Sequence, residues 1–103
     1  MTEISICTAT RNRPDALKQL GQRLVPLLAH GGEWIIGEGN DQPLGVLDFP
    51  STYVIRVEPP DGATRALNAC FQRAQAKYVV LLADDVLPYV DTLQMAHDFM
   101  EAH

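Results

Sequence analysis

The stretch Lys77-Tyr78-Val79-Val80-Leu81-Leu82-Ala83-Asp84-Asp85-Val86-Leu87-Pro88 decides how this chain is read. Val79 to Leu82 form an unbroken apolar run of strand length, the pattern of a buried strand in a parallel sheet. The run ends in two adjacent carboxylates, followed closely by a proline. Acids at the carboxyl end of a buried strand are badly placed for packing. They are well placed for a ligand, because open α/β sheets bind theirs in the crevice beyond the strand ends. Hard divalent cations are held by one or two carboxylates, with substrate phosphates completing the shell. Asp84 and Asp85 are therefore candidate ligands for Mg²⁺ or Mn²⁺ bridging a nucleoside diphosphate. On spacing alone, a solvated acidic turn before Pro88 is the competing reading.

The segments on either side give the fold class. Residues 63–76 read as a helix with Ala66, Leu67, Cys70, Phe71 and Ala74 on one face, and Arg65, Gln72 and Arg73 off it. After Pro88 a last helix starts at Asp91 as N-cap, with Gln94 three residues later and an apolar stripe of Leu93, Ala96, Phe99 and Met100. Residues 3–9, 33–38 and 52–57 read as three further strands. In the first, Ile4, Ile6 and Thr8 alternate with small Ser5, Cys7 and Ala9, so both faces can be covered. Between the first two strands, Asn12 is a good N-cap, Pro14 suits a first helical turn, and Asp15 complements the positive helix end. Leu17, Leu20, Leu24, Leu27 and Leu28 then mark one helical face. Gly21 weakens that helix, Pro26 is expected to kink or end it, and His30-Gly31-Gly32 stops it. Residues 42–51 carry two prolines and a glycine and read as loop. Strands alternating with helices predict a three-layer α/β fold. It has a mostly parallel four-stranded sheet with helices on both faces, in one domain spanning residues 1–103.

Composition narrows the function classes. Eight basic against 13 acidic residues give a net charge of −5, which argues against a nucleic-acid binder, since that needs a basic stripe. An anionic ligand must then be held locally, by backbone amides, single arginines or a bridging metal. Cys7 and Cys70 have no zinc-ligand spacing and read as reduced, buried thiols of a cytoplasmic protein. The N-terminus shows no signal-peptide pattern, and no apolar run reaches the ~20 residues of a membrane-spanning helix.

Four polar groups fall just after predicted strands. They are Thr10-Arg11-Asn12, Glu38-Gly39-Asn40-Asp41, the loop through Gly62, and Asp84-Asp85. In a parallel sheet all four lie along one edge, and this convergence outweighs any single motif. Glu38 is a candidate acceptor for a base or ribose. Arg11 and Arg65 are candidate contacts to phosphate or base. Taken alone, each reads first as a turn glutamate or a surface arginine. Trp34 reads as core, and His30, His97 and His103 form no visible constellation. Walker A, GxGxxG and GxSxG motifs are absent from the sequence.

Together the segments resemble the N-terminal, nucleotide-binding half of a family 2 glycosyltransferase with the GT-A fold, a Rossmann-like arrangement. Ala9-Thr10-Arg11-Asn12-Arg13-Pro14 is similar to that family's P-T-Y-N-R-P. Ile36-Gly37-Glu38-Gly39-Asn40 stands where V-D-D-G-S is common. Residues Gly62-Ala63-Thr64-Arg65-Ala66-Leu67-Asn68-Ala69-Cys70 match the helix that opens with A-L-N-A-G. Residues 76–85 resemble G-E-Y-V-L-F-L-D-D-D, with Asp84-Asp85 as a DXD-like motif. The resemblance implies a UDP- or GDP-linked nucleotide sugar and Mn²⁺ or Mg²⁺. It implies that Ala9, Thr10 and Arg11 flank the nucleobase, Glu38 contacts the base, Asp84 faces ribose or metal, and Asp85 is the main metal ligand. The departures are Gly37 and Ala83 in place of acids and Arg11 in place of an aromatic residue. Relative to that family the chain is a truncated domain without the acceptor half and its catalytic base. Hexosyl transfer by this chain alone therefore stands open beside a non-catalytic binding module of the same fold. A homo-oligomer or a partner chain is the expected cover for the shortened sheet. An unrelated phospho-acceptor receiver domain fits worst, since its acid pair follows the first strand.

Overall fold

A computed structural model describes residues 3–45, 47–57, 62–86 and 90–103. In chain order these form strand β1 (Ile4–Thr10), helix α1 (Pro14–Ala29), strands β2 (Gly32–Glu38) and β3 (Thr52–Arg56), helix α2 (Ala63–Arg73), strand β4 (Tyr78–Leu81) and helix α3 (Val90–Ala102). The sheet order is β3-β2-β1-β4 and every pairing is parallel. The predicted α/β class, strand count and strand direction all hold. Residues 42–51 contain no helix or strand among those described, as their prolines and glycine predict. Most of the loop after β3 and the Pro88 turn, residues 58–61 and 87–89, lie outside the described residues.

Two apolar clusters sandwich the sheet. Ile4, Ile6, Trp34 and Ile36 pack with Leu17, Leu20, Leu24, Leu27 and Leu28 of α1 and with Leu93 of α3. On the opposite face Cys7 and Ile35 pack with Cys70 and Leu67 of α2 and with Ala74 just after it. Alternation along β1 and β2 therefore sends one set of side chains to each layer. Both cysteines are free and buried. Burial first, then the neighbouring Cys70 and Glu33, push the Cys7 thiol up to about 12, so it stays protonated and unreactive.

Helix α1 continues through Pro26 to Ala29, so of the expected kink or end the end does not occur. The five leucines explain this. Each fully buried leucine contributes about 1.5–3 kcal/mol, against about 3 for an interior proline and about 1 for Gly21. Gly21 has a packing role as well. A Cβ there would lie 2.5 Å from the Phe49 ring and 2.9 Å from Trp34, whose own rings meet at 5.9 Å. Asn12 does not cap the helix. It adopts φ 58°, and Arg13 holds the N-cap position without a side-chain cap bond, followed by Pro14. Helix α3 already includes Val90, so the expected N-cap position, Asp91, falls inside it.

The two C-terminal elements are less buried than their apolar patterns predict. β4 is an edge strand, and Val79 and Leu81 are 45% and 55% exposed while Val80 and Leu82 face the α1 core. α2 lies chiefly over β1, β2 and β3. Phe71 of α2 and Phe99 and Met100 of α3 are also exposed, and Leu93 alone of the predicted α3 stripe is buried.

Candidate functional site at the carboxyl edge of the sheet

The strand order makes a switch point. The chain steps outward from β1 to β2 to β3, then returns through α2 to place β4 on the other side of β1. Crevices of open α/β sheets open at this place, beyond the strand ends. A cavity of about 360 Å³ lies here, lined by Ala9 and Thr10 at the end of β1, Arg11 and Arg13 after it, Gly39 after β2, Val57 after β3, Gly62 before α2, Ala63 and Ala66 in α2, and Asp84 after β4. All four loop groups singled out in the sequence contribute to it. Its volume is within the ordinary range for small-ligand sites.

Register brings Thr10 and Asp84 together. β1 pairs with β4 up to Cys7 opposite Leu81, and three residues further along both chains are Thr10 and Asp84. The Thr10 hydroxyl donates to Asp84 Oδ2 at 2.9 Å. Arg13, from the start of α1, places Nη1 3.4 Å from Asp84 Oδ1 and 3.5 Å from Asp85 Oδ2. One oxygen of each acid thus faces a single cationic nitrogen. Asp84 is buried, whereas the Asp85 and Arg13 side chains are 62% and 58% exposed. Such exposed, long ion pairs contribute under about 1 kcal/mol each. Two carboxylate oxygens converging on one point are a donor set suited to a hard divalent cation.

The end of β2 is built differently. Glu38 is 1% exposed and sits opposite Arg56 in the β2–β3 register. Its carboxylate accepts Arg56 Nη1 at 2.8 Å and the Leu44 N–H at 2.8 Å. Arg56 Nη1 also donates to the Asn40 carbonyl at 2.6 Å. Glu38 therefore anchors the loop after β2 and is not among the side chains that line the cavity. The neighbouring departure from an acid has a steric cause. A Cβ at Gly37 would lie 2.7 Å from the Ala66 carbonyl oxygen and 2.8 Å from Ala66 Cβ, so α2 packs directly on the strand there.

A clasp fixes the two loops against each other. Asn12 Nδ2 donates to Asp41 Oδ2 at 3.2 Å, the Asp41 N–H donates to Asn12 Oδ1 at 2.9 Å, and the Asn12 N–H donates to Asn40 Oδ1. The left-handed backbone of Asn12 allows this closed pair of side-chain and backbone bonds. Arg11 reaches Asp41 only at 3.7 Å and lines the cavity. Arg65, in the first turn of α2, is exposed and not among the lining residues. The α2 N-terminus carries no side-chain cap and no acid in its first turn, which leaves its positive end facing the cavity beside Gly62 and Ala63. Arg13 is the functional candidate that sequence reasoning passes over. Its signal was present, because an arginine after β1 must neighbour the acids after β4 once those strands pair.

The opposite, amino edge also holds acids, but closed ones. Glu33 accepts the Ser5 hydroxyl and the Gln75 N–H, the latter at 3.0 Å. Glu3, His97 and Glu101 place ligand atoms within 4.8 Å of one another, with His97 Nε2 3.2 Å from Glu3 Oε2. Asp98 accepts from His97 Nδ1, and Lys77 and the Tyr78 hydroxyl take Glu101 Oε2 at 2.6 and 3.0 Å. These bonds tie α3 to the first residues of β1 and β4. Asp98 first, then Glu3, hold the His97 pKa above its ordinary 6.5. This constellation was not legible in the sequence, since Glu3 lies at the other end of the chain.

No family model matches the chain, and no curated protein matches its sequence. A solved structure does match in three dimensions. The crystal structure of S. aureus TarS 1–349, a glycosyltransferase, superimposes with a TM-score of 0.86 over 99% of this chain at 15% identity. The chain spans 33% of that structure. No helix of the described residues is long and apolar enough to cross a membrane. At this identity the likeness establishes architecture: the chain has a glycosyltransferase-like α/β fold corresponding to one third of TarS 1–349.

Proposed function

We propose that the cavity binds the nucleoside diphosphate of a UDP- or GDP-linked sugar together with Mn²⁺ or Mg²⁺, as in family 2 glycosyltransferases. The observation that carries this reading is the convergence of Asp84 Oδ1 and Asp85 Oδ2 on one cationic atom at the mouth of a switch-point cavity. A glycosyltransferase-like fold supports it. Asp84 and Asp85 hold the ion in this reading, with Asp84 oriented by Thr10. Bound there, the ion acts as a Lewis acid that neutralises the diphosphate. Ala9, Thr10 and Arg11 flank the base, and the guanidinium plane of Arg11 offers a stacking surface where an aromatic residue is common. Glu38 contacts the base only by giving up Arg56 or the Leu44 N–H, so its first duty is to hold the loop that borders the cavity.

A binding module without transfer is the second reading. The observation favouring it is that Asp84 is the one carboxylate among the described lining residues, so a base for an attacking hydroxyl is not supplied from them. Val79 and Leu81 also leave an apolar strip on β4. A second copy or a partner chain covering that strip belongs to the proposal, and sedimentation reads it.

Calorimetry with UDP and with GDP tests the site. Binding is expected in Mn²⁺, lost in EDTA and lost in Asp85→Ala. Absence of binding by either nucleotide, with the protein folded, would contradict the reading. Turnover of a UDP- or GDP-sugar then separates the enzyme from the module.

A further inference from the structure

We infer that Arg13 is an internal counter-cation for the acid pair, exchanged for the divalent ion when a diphosphate arrives. The inference rests on the proposed nucleotide site and adds to it a device that couples metal to ligand. Arg13 Nη1 stands 3.4 Å from Asp84 Oδ1 and 3.5 Å from Asp85 Oδ2, and the same residue lines the cavity. One guanidinium therefore faces both the acids and the space for the ligand. Two carboxylates against one arginine leave this corner a net charge of −1, which opposes entry of a diphosphate. A divalent ion alone must displace Arg13 and is repelled by it at short range. An ion arriving with a diphosphate meets no such penalty, because Arg13 leaves the acids for phosphate oxygens, its preferred bidentate partners.

The geometry allows the exchange. Arg13 has a 58% exposed side chain and makes only long contacts to the pair. Its backbone is fixed by the helix start, since the Leu17 N–H donates to the Arg13 carbonyl at 3.1 Å and Pro14 follows it. The side chain pivots while its Cα stays in place. By contrast Arg56 bonds both Glu38 and the Asn40 carbonyl at 2.8 Å or less and is held. Metal and nucleotide thus gain mutual affinity beyond what direct contact between them supplies, and such coupling is reciprocal.

Mn²⁺ titration without nucleotide, followed by the electron paramagnetic resonance of the free ion, tests the first half of the exchange. Removing a competing exposed cation in Arg13→Gln is expected to tighten Mn²⁺ by about tenfold. That gain must vanish in Arg13→Gln/Asp85→Asn, which places the ion at the pair and not at Glu3, His97 and Glu101. Unchanged or weaker Mn²⁺ affinity in Arg13→Gln, or a gain that survives the second substitution, overturns the inference. For the second half, UDP affinity at saturating Mn²⁺ is expected to fall in Arg13→Gln, and equal UDP affinity overturns the exchange. The metal titration contains no nucleotide, so it reports on Arg13 even if the nucleotide site itself fails. Thermal melts of each variant confirm that a folded protein is compared.

Discussion

Two strands of this sheet end in a buried acid that meets an arginine, and the two pairs do different things. At the end of β2, Glu38 and Arg56 are cross-strand neighbours 2.8 Å apart, and a backbone N–H fills the other carboxylate oxygen. At the end of β4, Asp84 meets Arg13 at 3.4 Å, and an exposed second acid shares the same nitrogen. The first pair is saturated and holds a loop. The second is longer, borders a cavity and keeps an exposed cation over two acids. Both acids lie at the carboxyl end of a strand and each has a donor on both oxygens, so the difference lies in how tightly the arginine is held and whether a cavity adjoins it. A carboxylate held by short bonds away from a cavity reads as architecture, and one with a long, exposed cationic contact beside a cavity reads as a ligand site.

Substitution should separate the pairs most sharply. Glu38→Ala removes the bonds to Arg56 and the Leu44 N–H, leaving Arg56 its bond to the Asn40 carbonyl, and the expected loss is about 2–3 kcal/mol of stability, read by urea denaturation. Asp84→Ala removes the Thr10 bond and one weak ion-pair contact to Arg13, and about 1–2 kcal/mol is expected. Equal losses at the two sites would erase the distinction. Next in size is Gly37→Ala, beside Glu38 on β2. Its Cβ would press on the Ala66 backbone, where the neighbour cannot give way by rotating a side chain. A loss of about 1–3 kcal/mol is expected, and a stability equal to wild type would show that α2 moves off the strand easily.

A smaller effect sharpens the contrast with the amino edge. His97 has a pKa raised by its bonds to Asp98 and Glu3, with Glu101 also facing it and the Tyr78 ring edge-on at 5.6 Å. Its contribution is therefore complete below the ordinary value of 6.5 and is lost as pH rises through the raised folded value. The partners Asp98 and Glu101 have lowered pKa values, so their share is lost only at acid pH. The melting temperature of wild type relative to His97→Gln should be constant between roughly pH 5 and 6.5 and shrink above it. A difference that grows above pH 6.5 would show that neutral His97, not the ion pair, holds α3.

Much of this was legible in the sequence. Leucines at helical spacing specified α1 well enough to override Pro26, because the tertiary burial they signal outweighs the local cost. Polar groups after each strand identified the ligand edge, because a parallel sheet brings strand ends together whatever the loops do. The α3 stripe and the Val79 and Leu81 side of β4 were overread. Apolar residues announce a need for cover, and nothing local says which neighbour supplies it. Val79, Leu81, Phe99 and Met100 are exposed for that reason. Pairings set by register were hidden as well. Glu38 with Arg56 and Asp84 with Arg13 join residues 18 and 71 positions apart. Their partnership follows only once β2 is known to lie beside β3 and β4 beside β1.

The most direct test compares the two edges of the sheet in one spectrum. Amide resonances of the ¹⁵N-labelled protein are followed while UDP and substoichiometric Mn²⁺ are added, the ion broadening whatever lies close to it. Selective broadening of Thr10, Arg11, Arg13, Asp84 and Asp85, with Glu3, Gly31 and Gly32 left sharp, is the predicted result. Broadening centred on Glu3, His97 and Glu101, or no response to UDP at the carboxyl edge, would contradict the assignment of the ligand site to Asp84 and Asp85.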